Sequence, residues 1–383
     1  MEWYQIVIGI VVGLICLMTI IILHELGHAI TARRNGVDVE EFGLGLPPRA
    51  KILGKYKGTL ITLNWFLPLG GFCNLKGESN DAEGKGTFGA AKYWSKTKIL
   101  LSGIFVNLIT AMVIFSVMSA TGLPRITEDQ FYIPSDTKIL TSPVVINNIG
   151  SDSPAQKAGL RKGDILLLVA GLKLDETNKL PDITRENKGK EIEVVFERDG
   201  AEQTVKVQLR DSGTSGFLGA SASQSEYMQS TWSAPIVGII NTFQFAWMTL
   251  QGLGDLVVNF VGGVIGSMSF DDATREAAHN SLGSVSDSVS GPVGILGVLF
   301  PSVAAAGIGQ VFFLMGIISL TLAIMNFLPI PGLDGGRWLL MTIFKIFRKP
   351  LPIELEGKIN GIGMMCLIGL IILITIADVM KFW

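Results

Sequence analysis

Four stretches of this 383-residue chain, 4–30, 99–123, 311–328 and 359–379, are nearly unbroken apolar runs, each close to or beyond the roughly 20 residues that cross a bilayer as a helix. This constrains the fold more than any other feature. Backbone surrounded by lipid has no water to satisfy its amides, so each run must close its hydrogen bonds within itself. An apolar share of 48% fits that reading and excludes both a disordered chain and an ordinary soluble enzyme. The net charge of −2 gives no reason to expect nucleic acid as a partner. Cys16, Cys73 and Cys366 are scattered, without the spacing of a disulfide framework or a cysteine zinc site.

The first run has Glu2 and no basic residue before it, and no small-residue cleavage pattern after it. It is therefore expected to be a retained helix rather than a signal peptide. A fifth stretch, 232–268, carries Asn241, Gln244, Gln251, Asp255 and Asn259 among its apolar residues. It is read as amphipathic or membrane-associated helices rather than a span. Charge suggests an orientation. Segment 33–98 has eleven Lys/Arg against six Asp/Glu, 335–358 has five against two, and 123–300 has fourteen against twenty-one. The positive-inside rule then puts the first two in the cytoplasm, and the acidic segment and both termini outside.

Between the spans the pattern changes. RAKILGKYKGTLITLNWF alternates, breaks at Lys57-Gly58 and resumes with β-branched residues, which predicts a hairpin flanked by Gly- and Pro-rich loops, FGLGLPP and FLPLGGF. A plain surface hairpin and an edge strand that pairs with an unfolded substrate fit these residues equally well. FGAAKYWSKTK, 88–98, reads as an interfacial helix leading into the second span. From 143 to 210, short alternating strands surround SPAQKAGLRKGD, where Ser153-Pro154 starts a short helix ending at Gly159 and Lys162-Gly163-Asp164 turns into a strand. This part resembles a PDZ domain, a module that binds peptides by strand addition; the alternative is a β-rich spacer with no ligand. Residues 266–290, rich in Ser, Gly and Asp, read as a flexible loop with a solvated His279.

The chemistry lies in the first run, IIILHELGHAI, which holds two of the three histidines of the chain. An ionisable group at membrane depth costs about 2.5–3.5 kcal/mol on insertion scales, so such a group is expected to be functional. His24-Glu25-Leu26-Gly27-His28 is an H-E-x-x-H pattern. On a helix, both imidazoles share one face and can bind one zinc ion, while Glu25 on the adjacent face can act as general base. Zinc would lower the pKa of its water to about 7. A catalytic zinc needs a third protein ligand. In MNFLPIPGLDGGRW, Asn326, Pro329, Pro331, Gly332, Gly335 and Gly336 break the third apolar helix beside Asp334, leaving a carboxylate next to unwound backbone, which is tolerated at membrane depth only where it lines a cavity. His24 lies about 27 Å along its helix from 4–6, toward the cytoplasmic end, where Asp334 also falls. His279 is a weak candidate, on the opposite side of the membrane.

With HELGH, FGLGLPPRA, LNWFLPLGGF, SGPVGI (290–295) and NFLPIPGLDGG in order, nearly the whole chain resembles a site-2 protease, an intramembrane zinc metalloprotease of the bacterial RseP type with a single PDZ domain. The resemblance implies a polytopic α-helical membrane protein of about four transmembrane helices, with a membrane-associated β-hairpin region and an inserted β-rich PDZ domain. Its parts would be helix 1 at 1–34, the β-hairpin region and interfacial helix at 35–98, helix 2 at 99–123, the extracytoplasmic PDZ domain at 140–211, and the amphipathic helices at 232–268. A flexible loop at 269–300 would follow, then helix 3 at 308–334, a cytoplasmic loop at 335–358 and helix 4 at 359–380. His24, His28 and Asp334 would hold Zn2+ and Glu25 would be the catalytic base. Asn107, Asn326, Gly43 and Gly45 would help position substrate, and Gly159, Leu160 and Gly163 would form the peptide-binding loop of the PDZ domain. In the second span, SGIFVN keeps Gly103 and Asn107 of the family's Gly-Pro-x-x-Asn pattern but has Ile104 in place of proline, which leaves the helix straighter.

The implied activity is peptide-bond hydrolysis within transmembrane segments, in regulated intramembrane proteolysis. Substrates would be single-span membrane proteins such as anti-sigma factors, or remnant signal peptides. The protein would be multi-pass in the bacterial cytoplasmic membrane, with its active site near the cytoplasmic side. Two other classes compete: a non-catalytic scaffold binding peptides through its PDZ domain, and a metal or proton transporter. The intact H-E-x-x-H with Asp334 argues against the first, and the absence of an internal repeat against the second.

Overall fold

The computed structural model describes residues 2–78, 84–212, 216–269 and 271–382. The chain divides into two units, Met1–Met118 with Ala234–Trp383, and Ser119–Ser233. In the first unit, α1 (Trp3–Arg34) starts at a capping box in which Glu2 N donates to the Gln5 side chain at 3.1 Å. It ends at Asn35 and Gly36, the latter at φ +79°. The helix is apolar almost all round, so hydrophobicity alone does not select its inner face. Its buried residues are Gly9, Gly13, Cys16, Ile20, His24, Gly27, His28 and Ala32, a stripe at helical spacing made mostly of small side chains. This suits a membrane bundle, where apolar burial gives little driving force and close backbone approach gives the packing.

Strands β1 (Val39–Tyr56) and β2 (Thr59–Leu75) form an antiparallel pair closed by the tight turn Lys57-Gly58, both residues at positive φ. The expected break at Lys57-Gly58 is where the turn forms. The Gly- and Pro-rich flanks, expected as loops, belong to the strands. Glu41–Leu44 of β1 are paired on both sides, with Asn74–Gly71 and with Leu60–Leu63, both residue numbers rising together in the second set. The glycines serve close approach: a Cβ on Gly43 would collide with the Phe72 ring, and Gly45, at φ +86°, turns against Leu67. The interfacial helix expected at 88–98 is also revised. Residues 88–92 form turns around a buried Phe88, and the helix starts at Tyr93 as the first turn of α2 (Tyr93–Thr121), because Phe88 joins the core of Ala32, Val37, Val39, Leu75, Ile99 and Leu100.

The second unit holds two sheets. β3 (Leu123–Arg125) and β4 (Lys138–Thr141) flank β11 (Glu226–Gln229). The larger sheet has the order β10-β5-β6-β8-β9, with β7 (Leu172–Lys173) also on β6. Its strands are β5 (Val144–Ile149), β6 (Ile165–Val169), β8 (Glu191–Arg198), β9 (Ala201–Gln208) and β10 (Ala220–Ser223). The unit therefore extends past the expected 140–211 at both ends. Helix α3 (Pro154–Lys157) begins at Ser153, whose side chain accepts from Gln156 N, and Gly159 follows at φ +84°. Helix α4 (Lys179–Glu186) turns Leu180 and Ile183 into a core with Val144, Ile146, Leu160, Leu166, Val194 and Phe196.

The chain returns to the first unit as α5 (Ala234–Ser267), which is long and apolar enough to cross a membrane. Five helices among the described residues, rather than four, meet that measure. Asn241, one of the polar residues that argued against a span, is buried and donates its side-chain NH2 to the Val237 carbonyl of its own helix at 2.8 Å, which lowers the cost of placing it in an apolar setting. The flexible loop expected over 269–300 is instead helical: α6 (Asp272–Ser288) and α7 (Pro292–Ala306, with a π turn over Ile295–Leu299). Asp271 caps α6 by accepting from Thr274 N at 2.9 Å, and Ala278 and Leu282 fit against Gly266 and Gly263 of α5. Two glycines three apart on α5, facing Ala278 and Leu282 four apart on α6, make this interface, which composition disguises as a loop. Phe300 and Pro301 of α7 fill the space left by Gly13 and Gly9 of α1.

Helix α8 (Ile308–Phe327) stops before Pro329 and Pro331, and a new helix, α9 (Asp334–Ile346), starts at Asp334 itself. The expected span to 334 is thus shorter. Much of the expected loop 335–358 is the amphipathic α9, held because Trp338 and Met341 pack onto the Phe88 core. The last helix is α10 (Ile353–Phe382).

Candidate metal centre

His24 and His28 stand one turn apart on the inner stripe of α1, both buried. Their rings meet edge to face at 4.8 Å between centroids and bring the two Nε2 atoms to 3.2 Å. Asp334 arrives from the opposite direction. The kinked segment 328–333 turns the chain back so sharply that Gly335 and Gly336 lie against the carbonyls of Phe327 and Ile330, where any side chain would collide. As the first residue of α9, Asp334 also carries its charge at the positive end of that helix. Its Oδ2 lies 3.2 Å from His24 Nε2 and 3.3 Å from His28 Nε2. Asn326 is in the last turn of α8, with its carbonyl against Gly335.

The three donor atoms make a nearly equilateral triangle. Donors held about 2.0–2.1 Å from a tetrahedral zinc stand about 3.3 Å from one another, so the triangle has the size a zinc ion requires. His28 Nδ1 is 2.8 Å from the Ile99 carbonyl oxygen. A carbonyl only accepts, so Nδ1 carries the proton and Nε2 presents its lone pair. Asp334 Oδ2 is buried with no hydrogen-bond partner, as expected of an atom aimed at a shared ion. Among the described residues these three form the one group of His, Cys, Asp and Glu with metal-ligand spacing. Gly103 of α2 completes the cradle: a Cβ there would fall against His28 Nε2 and 2.7 Å from His24 Nε2.

Glu25 lies on the adjacent face of α1, within electrostatic reach of both histidines and Asp334. Gly71 of β2 packs beside it and Ile21. A cleft of about 350 Å³, lined in part by Glu78, Gly332, Asp334, Arg337, Glu356 and Asn360, opens beside the cluster. Arg337, one turn beyond Asp334, is clasped between Glu78 and Glu356, with Nε 2.6 Å from Glu356 Oε1. Asn107 is fully buried against His24.

The remaining candidates lie elsewhere. Gly43 sits in doubly paired β1 and Gly45 at its bend. Gly159 and Gly163 flank a loop in the second unit, where Leu160, 3% exposed, points into the core rather than outward. His279 is exposed on α6. Gly103 and the Ile99 carbonyl are the parts of the site that spacing alone did not assign; their signal was the small-residue approach SGIFVN offers to HELGH.

Comparison with known proteins agrees with this geometry. A family model described as peptidase family M50 matches residues 12–370. A protein of Clostridium perfringens, named as a candidate zinc metalloprotease, is 28% identical over 97% of this chain and 98% of its own. The membrane metalloprotease ARASP of Arabidopsis thaliana chloroplasts is 27% identical over 95% of this chain and 77% of its own. The zinc metalloprotease RasP of Shouchella clausii is 30% identical over 63% of this chain and 52% of its own.

Proposed function

Because the chain belongs to peptidase family M50 and is a membrane-embedded zinc metalloprotease, we propose that it hydrolyses peptide bonds within the membrane-spanning segments of other proteins. In this reading His24, His28 and Asp334 hold the zinc and Glu25 is the general base. The observation that carries it is the triangle of donor atoms, 3.2–3.3 Å on each side, set among helices long and apolar enough to span a bilayer.

When bound, zinc supplies Lewis acidity toward a water and the scissile carbonyl. The Glu25 carboxylate takes the proton from the attacking water and delivers it to the leaving amine nitrogen. A helix keeps its carbonyls hydrogen-bonded, so the substrate must unwind locally before it can react. Among the described residues Gly71–Asn74 pair on one side only, with β1, and Gly71 adjoins Glu25; this supports an extended substrate adding as a strand along β2. Asp334 lines the cleft of about 350 Å³ beside the donor triangle, which leaves room for water to approach.

The substrates proposed are single-span membrane proteins, anti-sigma factors among them, or remnant signal peptides. The second unit, with its short helix and the GLRKGD turn between strands, is assigned the part of a PDZ-like reader of substrate ends. The charge asymmetry supports placement in a bacterial cytoplasmic membrane, with the active site near the cytoplasmic side and the acidic segment outside.

The test is co-reconstitution of the purified protein with tagged single-span substrates, comparing wild type with Glu25→Gln. Cleavage by wild type alone supports the reading. If anti-sigma segments and signal peptides all stay intact with zinc-loaded protein, a peptide-binding scaffold takes its place.

A further inference from the structure

Each zinc-ligating histidine needs its second ring nitrogen held, or the ring is free to rotate and to carry its proton on the wrong atom. For His28 the holder is the Ile99 carbonyl of α2. For His24 it is another group on α2. Asn107 stands one turn beyond Gly103, is 0% exposed, and has its side-chain nitrogen 3.3 Å from His24 Nδ1. Its oxygen, Oδ1, is buried with no hydrogen-bond partner.

The two ends of a side-chain amide are nearly isosteric, and its orientation follows from the hydrogen bonds it must satisfy. With the NH2 group facing Nδ1, His24 would have to accept there and carry its proton on Nε2, aimed at His28 Nε2 and Asp334 Oδ2. Turned over, Oδ1 accepts from Nδ1–H, and Nε2 presents a lone pair to the donor triangle. Only the second arrangement is compatible with His24 as a ligand.

Resting on the reading of His24 as a ligand, we propose that Asn107 is a positioning residue that accepts a hydrogen bond from His24 Nδ1–H and thereby fixes the ring and tautomer that bind zinc. The resemblance had put this residue against the substrate backbone. Its complete burial and its contact with His24 assign it to the metal instead. Helix α2 then clamps both ligand rings, one through a backbone carbonyl and one through an amide, while Gly103 between them leaves room for the ion. The position of α2 is tied in turn to α8, the helix leading to Asp334, because Ser319 Oγ donates to the Asn107 carbonyl at 2.9 Å.

The test measures zinc affinity of the purified full-length protein by competition with a chromogenic chelator, using Asn107→Leu, Asn107→Asp and His28→Ala. Loss of an outer hydrogen bond of this kind weakens metal binding roughly 10–100-fold, which is the result expected for Asn107→Leu. A carboxylate can only accept, so Asn107→Asp is expected to hold zinc at least as tightly as wild type. Wild-type affinity in Asn107→Leu, with a raised KM at saturating zinc, overturns the proposal in favour of substrate contact. Should Asn107→Leu fail to fold, Asn107→Asp decides alone, and more than tenfold weaker binding overturns the proposal. His28→Ala separates the two levels: if it retains full zinc affinity, the ligand assignment itself falls; if it loses zinc while Asn107→Leu does not, only the role of Asn107 falls.

Discussion

Gly103 lies directly against His28, so that a single methyl group at position 103 would meet Nε2, the atom that faces Asp334 at 3.3 Å. The α1–α2 crossing is therefore shaped to keep the donor triangle open as well as to pack helices. Gly103→Ala is expected to lower bound zinc by at least about tenfold, judged against the 10–100-fold cost of outer-shell changes. Helical content by circular dichroism should be unchanged. Metal analysis of the purified variant checks this, and full zinc occupancy would show that the cradle tolerates a side chain.

Asp334→Asn keeps the shape of the side chain and removes its charge. An amide oxygen is a weaker ligand than a carboxylate, and the two imidazoles then face zinc without a counter-charge. Zinc should bind more weakly than after loss of an outer hydrogen bond, by more than roughly 100-fold. Competition with a chelator measures it, and parity with wild type would remove Asp334 from the ligand set.

Arg337 joins three separated parts of the chain, Glu78 after β2, α9 and the start of α10. Replacing it by Met leaves two half-buried carboxylates facing each other without a cation. Removing one partner of a fully buried pair costs about 3–5 kcal/mol, and the partial exposure here reduces that to about 1–3 kcal/mol. Thermal unfolding in detergent should show a lower midpoint, restored in part by a second change, Glu356→Gln. A midpoint equal to wild type would mean the clasp is solvated in solution.

In the second unit Asp164 is 2% exposed and accepts from Arg161 N and from both Nε and Nη2 of Arg198, each at 2.7 Å. Burial works to raise its carboxyl, but the Arg198 and Arg161 hydrogen bonds and charges outweigh it and hold the group below the usual range. A carboxyl lowered in the folded state stabilises the fold above its unfolded value, near pH 4, and that stability fades as pH falls through the folded value. Arg198→Met should destabilise this unit at pH 7, because it leaves the buried Asp164 carboxylate without its cation. The difference from wild type should shrink progressively below about pH 4. Hydrogen exchange of β6 and β8 as a function of pH follows it, and a gap independent of pH would assign the effect to packing.

The placement of individual elements shows how far local pattern reaches. HELGH is legible because two histidines four apart must share a helix face wherever that helix lies. Asp334 is legible because prolines and glycines break a helix whatever surrounds them. The turn at Lys57-Gly58 follows from the positive φ that such a pair accepts. Misreadings arose where long-range contact overrode local chemistry. The glycines of FGLGLPP look like loop residues but admit strands on both flanks. The Ser- and Gly-rich stretch after 271 looks mobile but makes a close helix pair. Residues 335–346 look like a basic loop but place Trp338 and Met341 on a distant core.

What the amino-acid sequence determined by itself is the set of chemically able groups and their local geometry: apolar helices, one pair of histidines with its neighbouring glutamate, and one carboxylate at a break. These follow from backbone hydrogen bonding and helical periodicity, which act over a few residues. Only the tertiary structure decided that Asp334 lies 3.2 Å from His24 across more than 300 residues of chain, that Gly103 leaves the space between them, and that Asn107 and the Ile99 carbonyl hold the two rings. Those relationships depend on how closely two helices approach, and that distance is set by side chains on both partners at once.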